Sequence, residues 1–94
     1  MNRTFDCNPA KRELLLSGRQ FDLRDMGEVF DDPYRIEFID QRKDYGEARF
    51  VTIGKALNAI HTVIFTQRGE VTWLITAWPS NRKERELYAQ NQYD

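Results

Sequence analysis

Ninety-four residues, 40% hydrophobic and 31% charged, make one modest domain's worth of folding chain and exclude a disordered segment. A formal net charge of −1 excludes a global basic field, so any nucleic-acid contact has to come from a local cluster of Arg and Lys. The single cysteine, Cys7, excludes an internal disulfide and the usual thiolate zinc sites, and it fits a reducing cytosol. The start, MNRTFDCNPAKRE, has no apolar signal core, and no stretch approaches the roughly 18 apolar residues of a membrane span. A soluble, cytoplasmic protein with no membrane partner is expected.

In chain order, Thr4 to Cys7 alternates polar and apolar residues and reads as a short strand. Asn8-Pro9 then supplies an N-cap with proline at the first helical position, and AKRELLL carries a first helix to Ser17-Gly18. Asp22 caps a second helix on which Leu23, Met26, Val29 and Phe30 recur at helical spacing, interrupted by Gly27 and closed by Asp32-Pro33. Four apolar, β-branched and aromatic runs follow: 35–39, 48–53, 60–66 and 71–76. Their connections, at Tyr45-Gly46, at 54–59 and at 67–70, are short enough for an antiparallel meander. Asn81 with Glu84 three residues on makes a capping-box variant that opens a last helix toward Gln90. The expected fold is α+β, an antiparallel sheet of four to five strands with two N-terminal helices and one C-terminal helix, in a single domain spanning residues 1–94. There is no internal repeat or linker.

The most chemical stretch is DYGEAR at 44–49. Glu47 and Arg49 stand two apart at a strand entrance, so both project from one face. A carboxylate beside a guanidinium suits phosphoester chemistry, one group taking a proton and the other holding a phosphate as it gains charge. A plain same-face salt bridge is the competing reading. Other cations are spread widely: Lys11 and Arg12 in the first helix, Arg19, Arg42, Lys43, Arg68 in a turn, and Arg82, Lys83 and Arg85 in the last helix. If the sheet gathers Arg42, Arg49 and Lys83, they form a local phosphate-binding surface. NRKERE alternates sign as a solvated helix face does. His61 is the only histidine, which removes any histidine-pair mechanism. Tyr45, Tyr88 and the tryptophans could stack on unpaired bases or fill a small core. Scattered acids with one cysteine and one histidine offer no metal ligand set, so neither metal nor cofactor is expected.

Six segments in this order, NPAK at 8–11, GEVFDDP at 27–33, RKDYGEAR at 42–49, IG at 53–54, TQRG at 66–69 and ITAxxxNxxExxxY at 75–88, resemble the BrnT toxins. The resemblance runs from about Phe5 to Tyr88. It implies a compact domain related to the RelE-like ribonuclease toxins and a metal-independent endoribonuclease that cuts cellular RNA and halts growth. It also implies a cognate antitoxin with a DNA-binding domain, through which DNA is touched only indirectly. Lys11, Arg42, Glu47, Arg49 and Lys83 fall at motif positions where charged groups recur, and Tyr45 and Tyr88 at recurrent tyrosines.

The departures matter as much. This chain has Trp73 and Trp78 where the family usually has arginine, and Arg19-Gln20 where a histidine-glycine pair is common. An indole has one neutral donor and a stacking face, and cannot imitate a charged planar fork. Positions 73 and 78 differ in parity, so an uninterrupted strand turns them to opposite faces. Trp73, sharing a face with Val71 and Ile75, is expected in the core; Trp78, before Pro79, at the rim of the site. Taken together, catalysis is assigned to Glu47, Arg49 and Lys83. RNA contact falls to Lys11, Arg19, Arg42, Tyr45, Arg68, Trp78 and Tyr88. The alternative is a catalytically weakened or inactive toxin-like protein that acts by docking its antitoxin.

Overall fold

The computed structural model describes residues 3–19, 21–42 and 44–92. Strand β1 (Thr4–Cys7) leads into helix α1 (Pro9–Gly18) and a 3-10 helix (Leu23–Asp31). Strands β2 (Ile36–Ile39), β3 (Phe50–Ala56), β4 (Ala59–Arg68) and β5 (Val71–Pro79) follow, then helix α2 (Arg82–Asn91). The five strands form one mixed sheet in the order β1-β5-β4-β3-β2. The run from β2 to β5 is the expected antiparallel meander. The first strand corrects the expectation of an antiparallel sheet, because β1 lies parallel to β5, with Thr4 opposite Val71 and Cys7 opposite Leu74. A parallel pair needs a long connection, and here everything between Cys7 and Val71 supplies it.

The helix starts follow their capping signals. Asn8 accepts hydrogen bonds from the backbone of Ala10 and Lys11, and Asn81 and Glu84 complete the capping box. The second helix is a correction, since it is 3-10 along its length. Its apolar residues explain the tighter winding: Leu23, Met26 and Val29 recur every third position, the repeat that a 3-10 helix aligns on one side, and all three are fully buried. Gly27 fits the same turn against Phe5, whose ring carbons lie 3.0 Å from where a Cβ would stand. Asp22 caps this helix through Arg24 N–H and accepts two bonds from Arg12, at 2.8 and 2.7 Å, tying it to α1.

The connection expected at 54–59 is shorter in fact. Gly54 to Ala56 continue β3, and the turn is Leu57-Asn58, both with positive φ, 52° and 63°. Two left-handed residues are what a two-residue hairpin turn requires. Gly54 faces His61 across the ladder.

Each face of the sheet carries a core. One, under α1 and the 3-10 helix, gathers Leu15, Phe21, Leu23, Met26, Val29, Val63, Phe65, Leu74 and Ala77. The other, under α2, is smaller: Val51, Ile53, Ile64 and Tyr88, with Trp78 and Ile75 packed against them. On β5 the ladder slips by one residue. Ile64 pairs with Thr76 and Phe65 with Leu74, which leaves Ile75 as a bulge.

Helix α2 is pinned by its one buried side chain. Tyr88 donates a 2.6 Å hydrogen bond to Asp32 Oδ2. Burial, helped by this charged acceptor, pushes the phenol up to about 12. Burial alone would raise Asp32, but donors from Tyr88, Tyr34 and Lys55 outweigh it and hold the carboxyl below its ordinary value. Because folding raises the Tyr88 pKa, its contribution is whole below pH of about 10 and is lost as pH climbs through the folded value. The wild type is therefore expected to exceed Tyr88→Phe by about 2 kcal/mol at pH 8. Paired denaturant titrations should show that margin closing between about pH 10 and 12; a margin constant with pH would contradict it.

Candidate functional site

The approach to β3 is fixed from both sides. Asp40 N–H donates to the Arg49 carbonyl at 2.8 Å, and Thr66 Oγ1 donates to the Ala48 carbonyl at 2.6 Å. Strand alternation therefore continues through Arg49, which projects from the same face as Val51 and Ile53. Ahead of it, Asp44 accepts from Gly46 N–H, and Gly46 takes φ of +74°, a left-handed turn that favours glycine. That turn folds Tyr45 back, so the Arg49 guanidinium lies over its ring at 3.9 Å.

Glu47 is the centre of the resulting cluster. Its Oε1 accepts from Arg68 Nη2 at 3.1 Å and lies 3.7 Å from Arg49 Nη2. Arg68 has come from the end of β4, and its guanidinium also covers the Trp73 ring at 4.6 Å. The Arg68 hydrogen bond first, then the charges of Arg68 and Arg49, hold the Glu47 carboxyl below its ordinary range. Arg49 keeps one buried donor, Nε, with no hydrogen-bond partner among the described residues.

A cleft of about 610 Å³ opens onto this cluster, lined by Arg49, Arg68, Trp73 and Ile75 from the sheet and by Lys11 and Leu14 from α1. Three cations thus border one cavity. Of the residues expected from the sequence, Lys11, Arg49 and Arg68 line it, while Glu47 and Tyr45 stand behind it in contact with its arginines.

The remaining expected residues do not line this cleft, although Arg42 adjoins the cluster through Tyr45. Arg42 makes a paired contact with Asp40, 2.9 Å on each nitrogen, and its hydrogen bond is the main reason the Asp40 carboxyl is held low. With Trp78, Glu84, Phe38 and Ile39 it lines a second cleft of about 200 Å³. Arg19 ends α1 and donates to the Ala77 carbonyl at 2.7 Å. Lys83 is exposed on the first turn of α2 and lines neither cleft. Tyr88 is 4% exposed in the α2 core, which leaves no ring face for a base. Lys43 and Gln20 lie outside the described residues.

The tryptophans reverse their expected places. The Ile75 bulge cancels the difference in parity, so Trp73, opposite Thr66, and Trp78, opposite Thr62, face the same side of the sheet. Trp73 is half-buried and lines the cationic cleft rather than the main core. Trp78 packs under α2 and donates its indole N–H to Glu84 at 3.1 Å, so it belongs to the helix attachment as well as to the second cleft. Sequence reasoning missed Trp73 as a cleft residue because a bulge leaves no mark in strand alternation; the paired β-branched residues at Ile75-Thr76 are ordinary in any strand.

Among the described residues, no three His, Cys, Asp or Glu side chains come together as a metal ligand set. Among the same residues, no helix is long and apolar enough to cross a membrane.

Fold and cleft together define a small α+β protein with a cation-lined cavity between a mixed sheet and its first helix. Residues 8–84 match the family model described as the ribonuclease toxin, BrnT, of type II toxin-antitoxin systems, and the chain belongs to that family. Membership implies a cognate antitoxin as partner. No curated protein matches the chain. The family match begins at the Asn8 cap and ends at Glu84, which takes in every residue of the cationic cluster and leaves out β1 and Tyr88.

Proposed function

We propose that the chain is a metal-independent endoribonuclease whose reaction takes place in the cleft of Lys11, Glu47, Arg49 and Arg68. The observation that carries this reading is the position of Glu47, ionised and held between Arg68 and Arg49, the two arginines that line the cleft. A phosphate entering there competes with Glu47 for the two guanidinium groups. As their N–H edges shift to the phosphate, Arg68 keeping its place over the Trp73 ring, the carboxylate loses its cationic partners and becomes a better base. It then takes the proton of the neighbouring 2′-hydroxyl, whose oxygen attacks phosphorus. The bond to the 5′-oxygen breaks, water protonates that leaving oxygen, and a 2′,3′-cyclic phosphate and a 5′-hydroxyl result. The arginines, with Lys11, stabilise the charge that gathers on the phosphoryl oxygens.

On this reading the chain acts on cellular RNA in the cytoplasm, and its antitoxin carries the DNA-binding domain that represses a shared operon. Kinship with the RelE-like ribonucleases belongs to the same reading. Lys83, which does not line the cleft, is given no part in the chemical step.

The test is incubation of the purified protein with total RNA in EDTA, beside a Glu47→Gln control. Cleavage is expected to persist under chelation and to vanish in the control. Activity that disappears in EDTA and returns with magnesium would overturn the mechanism.

A further inference from the structure

The cleft holds an element that phosphate chemistry does not use. Trp73 lines it beside the three cations, and Arg68 lies flat enough over the indole to stand 4.6 Å from the ring centroid while hydrogen-bonding Glu47. Arg68 therefore joins the aromatic ring to the carboxylate in one connected group. The indole is half-buried on its strand, opposite Thr66 across the ladder and two residues before the Ile75 bulge. It lines the same cleft as Arg49 and Lys11, so an aromatic ring and phosphate-binding cations face one cavity.

Resting on the ribonuclease reading above, we propose that the Trp73–Arg68 stack is a nucleobase platform, and that the cleft accepts single-stranded RNA with one base stacked on that pair while Lys11 and Arg49 hold the adjacent phosphate. Stacking on an aromatic ring is open to every base, because each presents a π-face, and it is closed to bases held inside a duplex. Cations alone would take any phosphate chain, whether paired, unpaired or stripped of bases. The platform thus supplies a selection for unpaired RNA that the cationic residues cannot.

The experiment compares a single strand with 2′-O-methyl sugars, which cannot be cleaved by its own 2′-oxygen, with the same strand without bases, equal to it in length and charge, and with a duplex of that length, which carries twice the phosphates. Binding is read by anisotropy of an end-labelled strand. The wild type is expected to bind the base-bearing single strand about tenfold more tightly than the abasic one. Trp73→Ala should remove that difference while leaving abasic binding unchanged, and Trp73→Phe should restore part of it. In a Trp78→Phe background Trp73 is the only indole, and its emission should be quenched by the base-bearing single strand and not by the abasic strand. Should that background fail to fold, the anisotropy series decides alone. Equal affinity for base-bearing and abasic strands, or a Trp73→Ala loss common to both, overturns the platform. Base-dependent binding by a protein that leaves total RNA uncut would retain the platform and refute the cleavage mechanism instead.

Discussion

Glu47→Gln is expected to lower RNA cleavage by at least about a hundredfold, and Arg49→Ala by a similar factor, with the thermal unfolding transition retained in both. The two variants remove different things. Glutamine keeps the shape of Glu47 and its acceptor for Arg68 but cannot take a proton. Alanine at 49 removes a guanidinium that stacks on Tyr45 and borders the cleft, leaving the backbone pins at Ala48 and Arg49 untouched. Neither residue belongs to the buried clusters on the two faces of the sheet. Single-turnover rates on a defined RNA, read beside melting curves, check the expectation. Variants that cleave normally would put the base elsewhere, and variants that both unfold would make the pair structural.

The second large effect is on stability. Gly54→Ala is expected to destabilise the fold by about 3 kcal/mol, the upper part of the usual range for overpacking a buried position. A Cβ there would stand 2.9 Å from Val29 Cγ1, 3.0 Å from Arg35 Cβ and 3.3 Å from Asp32 Oδ2. None of these neighbours yields cheaply. Val29 is fully buried at the end of the 3-10 helix, Arg35 stacks on Phe30, and Asp32 accepts the bond that anchors α2. For a domain of this size, such a loss lowers the melting temperature by roughly 10 to 20 °C. An unchanged melting temperature would mean that the 3-10 helix can move off the sheet without cost.

Much of the fold was legible because local signals and tertiary structure agree. Asn8-Pro9 and the Asn81–Glu84 pair start helices where their chemistry requires, and the β-branched runs from 35 to 76 become the meander. The misses share a cause. The parallel partner of β1, the bulge at Ile75 and the burial of Tyr88 depend on residues far away in sequence, and no periodic pattern carries them. The winding of the second helix was different, since the strict three-residue spacing of Leu23, Met26 and Val29 was present and was read as an ordinary helix. For the site, same-face spacing correctly paired Glu47 with Arg49, and the salt bridge that competed with catalysis is present as well. Arg68 and Lys11 could be named as cations, but only the sheet and α1 bring them to that pair. Lys83, expected beside that pair, lines neither cleft.

The extra residue at Ile75 acts as a phase step between two surfaces. Upstream of it β5 supplies Trp73 to the cationic cleft, and downstream it supplies Trp78 to the cleft under α2, both on one side of the sheet. Removing one residue there would put the two halves of the strand back in register with simple alternation. Both indoles would keep their side of the sheet, because without the extra residue they stand four positions apart, an even spacing. A codon lost at Ile75 is therefore expected to leave both tryptophans in place and to cost the cationic cleft one apolar wall residue, whereas a codon lost at a paired position between them would leave the bulge and turn one indole over.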